Sequence, residues 1–139
     1  MLLAPAPPPP PLATAARVTR SDHVTAAVRK RSQHGNRLLY VGTAHSHVFG
    51  SGHIVEHATI QGLGSVGTFS IGYRGGTVRG HSRATGRAHA NLTVSFSGTY
   101  RFTGGTGTYR NISGSGRFSG SGPLNLSSAT FHQHGTISY

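Results

Sequence analysis

Glu56 is the one acidic side chain between Leu38 and Tyr139, and its neighbours alternate by two. Ile54, Glu56, Ala58 and Ile60 fall on one face of a strand, and His53, Val55, His57, Thr59 and Gln61 on the other. A carboxyl on the apolar face of a barrel strand would be desolvated, its pKa would rise, and it could act as an acid or base in a cavity. The competing reading is an ion pair with one of the seven arginines of the same segment. Six of the ten histidines form pairs that could bind metal: His45 with His47, His53 with His57, and His132 with His134. An i, i+2 pair on a strand puts both imidazoles on one face, so His45, His47, His53 and His57 on two adjacent strands could hold Zn or Cu. Solvated histidines are the alternative, and His132 and His134, opposite Phe131 and Ile137 in parity, are expected on an outer face. Arg79, His81 and Arg83 share a face, and Arg101 lies on the polar face of its own segment. Together Arg79, Arg83 and Arg101 make a basic patch that would bind polyanions without sequence preference and with steep salt dependence, or that simply keeps the surface solvated.

Composition limits the other chemistries. There is no cysteine, so disulfides, thiolate metal sites and cysteine nucleophiles are excluded. The formal charge is +11 with the histidines neutral, which favours adhesion to polyanions. Six cations and Asp22 lie in the first 37 residues, and seven arginines and Glu56 in the rest, so both parts are basic. Dedicated nucleic-acid binders interleave cations with exposed aromatics; here Phe96, Tyr100 and Phe102 share the apolar side of one strand. No nucleophile elbow or paired carboxylate is present, and GGTG at Gly104 to Gly107 lacks the following helix of a phosphate loop. Asn91, Asn111 and Asn125 begin sequons that matter only in a glycosylating secretory pathway.

The elements that position these residues are strands. From Ala88 to Phe102 the even positions are Ala, Ala, Leu, Val, Phe, Gly, Tyr and Phe, and the odd ones are polar, which predicts one long half-buried strand. Further strands are expected at Leu38 to Val41, Ala44 to Gly50, His53 to Gln61, Val66 to Tyr73, Thr77 to Arg83, Gly107 to Gly120 and Ser128 to Tyr139. Turns are expected at Gly62 to Gly67, Arg74 to Gly76, Gly104 to Gly107 and Gly120 to Pro123. Eight or so strands joined by short turns predict an all-β fold, an eight-stranded antiparallel β-barrel with a two-sheet sandwich as the competitor. The barrel is assigned to residues 38–139. Residues 1–37 are read as a disordered tail. Its first part, with five consecutive prolines at Pro7 to Pro11, is extended polyproline, either a degenerate or truncated export segment or a linker. Its second part, Arg17 to Arg37, is read as a solvated basic segment, with a short helix from Ser21 to about Gln33 as the alternative. No stretch approaches the ~20 apolar residues of a membrane helix.

Gly104 to Tyr109, GGTGTY, followed by Gly114, Gly116, Phe118 and Gly120, resembles the Gly-Gly-Thr-Gly-x-(Phe/Tyr) motif and following strand of the allene oxide cyclase and dirigent-like β-barrel superfamily. Gly67 to Ile71 and Gly76 to Gly80 look like neighbouring strands of that family, so the likeness covers about Gly50 to Tyr139. The resemblance implies an eight-stranded barrel with a central apolar cavity, export to the cell surface or beyond, frequent trimerisation and no bound cofactor. It also implies either a cofactor-independent cyclase or isomerase, or a binding protein of the bacterial branch. The matching glycines are structural. The chain departs from the family in having no aspartate from Leu38 onward, where dirigent-type cavities commonly carry one, which argues against an enzyme. The functional expectation is therefore an exported barrel that binds a small apolar molecule. A cyclase using Glu56 is the first alternative, and a polyanion-binding or surface-associated structural protein the second.

Overall fold

The computed structural model describes residues 4–8 and 17–139. The export-segment reading falls mostly on residues 1–3 and 9–16, outside the described residues. Ala4 to Pro8 are exposed and without regular structure.

Eight strands follow one another along the chain: β1 (Thr19–His34), β2 (Arg37–Ser46), β3 (Gly50–Gln61), β4 (Gly64–Tyr73), β5 (Gly76–Ala88), β6 (Thr93–Gly105), β7 (Ser113–Pro123) and β8 (Ser128–Ser138). Each pairs antiparallel with the next, and β8 pairs back onto β1, so the sheet closes in sequence order. The expected barrel is thus observed, and the sandwich is ruled out by the β1–β8 ladder, which runs from Thr19↔Ser138 to Arg29↔Ser128. Closure leaves no unpaired sheet edge.

The main correction concerns the boundary at Arg37. The segment read as a basic tail or short helix is the first barrel strand. A stripe of Val24, Ala27 and Val28 suggests a helix, but the stronger pattern has period two: Asp22, Val24, Ala26 and Val28 are buried, while Ser21, His23, Thr25, Ala27 and Arg29 are exposed. Without this strand β2 and β8 would both have open edges, so the barrel needs it. Asp22 therefore lies inside the barrel, and Glu56 is not its sole carboxylate.

Smaller corrections concern strand ends. Leu38 to Val41 and Ala44 to Ser46 are parts of one strand, β2, that continues through Gly42, while residues 47–49 are a turn and Gly50 opens β3. The long alternation from Ala88 is interrupted, because Ala88 ends β5 and residues 89–92 turn the chain into β6. Leu92 holds that turn at φ 64°, a left-handed conformation rare for a branched residue. Gly107–Tyr109 is a 3-10 turn rather than strand, and Gly120 to Pro123 complete β7, with the turn displaced to residues 124–127.

The turns sort to two ends. Those at residues 35–36, 62–63, 89–92 and 124–127 lie at one end, and those at 47–49, 74–75 and 106–112 lie at the other with both chain ends of the barrel. The second end is packed solid. Phe49 packs against Tyr73, Tyr109 and Tyr139 at centroid distances of 5.2, 4.5 and 5.3 Å, within the range of favourable aromatic pairs. Behind this plug, Ile54, Ile71 and Val78 are in register on three neighbouring strands and essentially without exposure. Each contributes roughly 1.5–3 kcal/mol of burial.

Candidate functional site

The other half of the barrel is hollow. Its inward positions are small where the closed end carries Ile and Val: Ala58, Ala84, Gly86 and Gly122 all border the same space, a cavity of about 290 Å³. That is about twice the ~150 Å³ of an apolar cavity known to admit benzene. Phe69, Phe96, Phe118 and Phe131 form much of the wall, with ring centroids 6.2 Å apart for both Phe96–Phe118 and Phe118–Phe131. The mouth lies among the turns of the open end, where Leu63, Leu124 and Leu126 reach the cavity. Leu63 is 66 % exposed, and Leu92, on the adjoining turn, 70 %. The turns at 89–92 and 124–127 are tied together, with Leu124 N donating to Leu92 O at 2.8 Å.

Beside the short hydroxyls of Ser65, Ser82, Thr85 and Ser128, three larger polar side chains interrupt the apolar wall: Glu56, Tyr40 and Gln133. Glu56 projects inward from β3, as its parity predicts, directly opposite Tyr40 on β2 and Phe69 on β4. It keeps some accessible surface because it opens onto the cavity, yet it sits deep among protein atoms. Burial alone pushes its carboxyl from the usual 4.5 up to about 7, with no cation or hydrogen bond opposing the shift. The ion-pair alternative is therefore not what the structure contains: Arg79, Arg83, Arg87, Arg101 and Arg117 occupy exposed outward positions of β5, β6 and β7. Tyr40 is pushed up to about 12, first by burial and then by the Glu56 charge. Its hydroxyl donates to Leu126 O at 2.8 Å, which pins the β7–β8 loop across the mouth.

Gln133 was missed in the sequence because it stands between His132 and His134. The signal was nonetheless present, since it has the parity of the inward Phe131 and Ile137. It is 4 % exposed, and its Oε1 is a buried acceptor without a partner.

Asp22 was missed with its strand. It occupies the closed end and is 2 % exposed. Its Oδ1 accepts from Ser46 Oγ at 2.8 Å and from Val48 N at 3.3 Å, while Ser46 Oγ accepts from Phe49 N at 2.9 Å. This network holds the β2–β3 turn and seats Phe49 in the aromatic plug, so Asp22 is a scaffold group. Its charge also adds to the effect of burial in pushing the Tyr100 phenol up to about 12.

The histidines do not converge. His45 pairs in register with Ser51, His53 with Thr43 and His57 with Leu39, all exposed on the outer face, and His47 lies in the following turn. Among the described residues no three His, Asp or Glu side chains are grouped to hold a metal ion. His134 is on the outer face as expected, stacked on His23 at 6.0 Å.

The basic residues do converge. His81 is in register with Arg101, and Thr99 lies between Arg83 and Arg117. These side chains line one outer groove with Ser115, while Arg79 lies one step further along β5. The polar outward faces of β1 and β5 are the reverse of the apolar band a transmembrane barrel turns to lipid. Among the described residues no helix is long and apolar enough to cross a membrane.

No protein-family model matches the chain, and no curated protein matches it in sequence.

Proposed function

We propose that the protein binds a small apolar molecule in the open half of its barrel. The observation that carries this reading is the 290 Å³ cavity itself, walled by four phenylalanines and opening through a rim of leucines. Ligand sites are characteristically concave and apolar with a few polar groups, and an unfilled apolar space of this size is costly to a fold with no use for it. The test is displacement of a fluorescent apolar probe. The wild type should bind it, and Ala84→Phe, which places a ring in the cavity, should abolish binding while the barrel still melts cooperatively. A probe that binds both equally would place it on the exterior and refute the reading.

The resemblance to the allene oxide cyclase and dirigent-like barrels supports the same proposal and extends it to an exported or cell-surface homo-oligomer. In a cyclase, Glu56 would be the acid or base, since a carboxyl titrating near neutrality in an apolar wall can both hold and release a proton. Native mass spectrometry of protein from its own host would read the processed N-terminus, the oligomeric mass and any retained ligand in one spectrum.

A second reading, polyanion binding, is favoured by the groove that gathers His81, Arg83, Arg101 and Arg117. Heparin or nucleic-acid binding that persists at physiological salt and is lost in Arg83→Gln/Arg101→Gln/Arg117→Gln would support it. Binding that vanishes at that salt would reduce the groove to a solvating surface.

A further inference from the structure

Gln133 is a buried carboxamide on the wall of a mainly apolar cavity, and its Oε1 has no partner in the protein. Buried polar atoms are almost always satisfied, and each exception needs a physical account. Packing does not require an amide here. The same inward face of β8 carries Phe131 and Ile137, and a leucine would fill the position without leaving an orphan. The other polar groups of the wall differ from it: Ser65, Ser82, Thr85 and Ser128 carry only short hydroxyls, Tyr40 donates its proton to Leu126 O, and Glu56 faces the cavity from three strands round the barrel from β8.

Resting on the reading that the cavity binds an apolar molecule, we infer that its ligand is an aliphatic alcohol, with the hydroxyl bonded to the Gln133 carboxamide and the hydrocarbon body against Phe96, Phe118 and the leucine rim. The hydroxyl follows from chemistry. It donates and accepts, so it satisfies a carboxamide in either of its two orientations. It is also compatible with Glu56 in either protonation state. A carboxylate, which only accepts, would meet Glu56 as a like charge in a low-dielectric space. A ligand that is hydrocarbon throughout would leave the carboxamide without a partner. Gln133 is thus the specificity-determining residue of the site.

The test uses three ligands of one shape at pH 7.5, each competing with the fluorescent probe on the full chain: cyclohexylmethanol, ethylcyclohexane and cyclohexanecarboxylate. Cyclohexylmethanol should bind about tenfold more tightly than ethylcyclohexane, the worth of one net hydrogen bond, and cyclohexanecarboxylate should bind least. Gln133→Leu should erase the preference for the alcohol while ethylcyclohexane binds at least as well as before. Because the comparison of ligands on the wild type needs no variant, misfolding of Gln133→Leu would not blunt it. Equal binding of the alcohol and the hydrocarbon, tightest binding of the carboxylate, or an undiminished preference in Gln133→Leu would each overturn the assignment with cavity binding intact. If neither the probe nor any of the three ligands binds, the cavity reading falls and the hydroxyl assignment with it.

Discussion

Replacing Glu56 by glutamine should stabilise the protein at alkaline pH and hardly at all in acid. The folded carboxyl titrates near 7 because burial penalises its charge, against 4.5 for the same group in water. Below about pH 4.5 it is protonated in both states and costs nothing. Between that value and 7 the folded protein holds a proton that the unfolded chain has released, so stability falls as pH rises. Above 7 the full penalty applies, which by linkage is about 3 kcal/mol. Residual hydration from the cavity side makes this an upper figure. Glu56→Gln removes the charge but keeps the shape, so whatever the amide itself costs is independent of pH. Urea unfolding of both proteins at pH 4.5, 6, 7 and 8.5 checks the argument. The variant should gain 2–3 kcal/mol, roughly, on the wild type between the lowest and highest pH. Histidine titration acts on both proteins and cancels in the difference. A difference that is flat with pH, or that favours the wild type at pH 8.5, would show that the carboxylate has a counter-charge or free access to water, and the description of an isolated cavity carboxyl would be wrong.

The remaining expectations follow from the same geometry. Affinity for the neutral probe should fall as pH passes through 7, because an entering ligand strips the last water from an ionised Glu56; fluorescence titration at pH 5.5 and 8.5 measures this. Gly98, inward on β6, has the Arg83 carbonyl where a Cβ would stand, so Gly98→Ala should destabilise by about 1–3 kcal/mol in urea unfolding. Leu92 is exposed and left-handed, so Leu92→Gly should raise stability by roughly 0.5–1 kcal/mol, read as a higher melting temperature. Ser46→Ala removes the hydroxyl that links Asp22 to Phe49 N; it should cost about 2 kcal/mol and increase exchange of the Val48 and Phe49 amides.

Much of the barrel was legible because β3, β4, β6 and β8 carry bulky residues at alternate inward positions, and glycine-marked turns set off β5 and β7, whose inward faces are mostly small. β1 was hard to read because its inward face is written in small ones. Asp22, Val24, Ala26 and Val28 form a weak apolar signal beside Arg29, Lys30 and Arg31, and the same letters permit a thin helical stripe. What decides between them is non-local: β2 and β8 each need a partner, and only Thr19–His34 can supply both ladders. The break at residues 89–92 was hidden for a related reason. Ala88, Ala90 and Leu92 keep the alternation going through a turn held by a left-handed leucine, which turn chemistry does not anticipate.

The site divides in the same way. Glu56 could be placed inward by parity, and the raised pKa followed once it had no cation beside it. The cavity, implied by the family resemblance alone, could not be read from residue parity, because it is an absence of volume, produced where Ala58 on β3, Ala84 and Gly86 on β5 and Gly122 on β7 come to face one another. In the chain these residues look like ordinary small residues of glycine-rich strands, and only closure of the barrel brings them together. That arrangement also explains why the polar groups matter out of proportion to their number. A solid barrel would have left Gln133 no room and Glu56 no tolerable environment, whereas a hollow one gives each a wall position with low polarity around it. Small residues on β3, β5 and β7 make the space, the leucine-bearing turns give access to it, and Gln133 and Glu56 set the polarity that an entering molecule meets. Filling the space at Ala84 should therefore remove binding by any ligand, while Glu56→Gln or Gln133→Leu should leave the space and change only what prefers it.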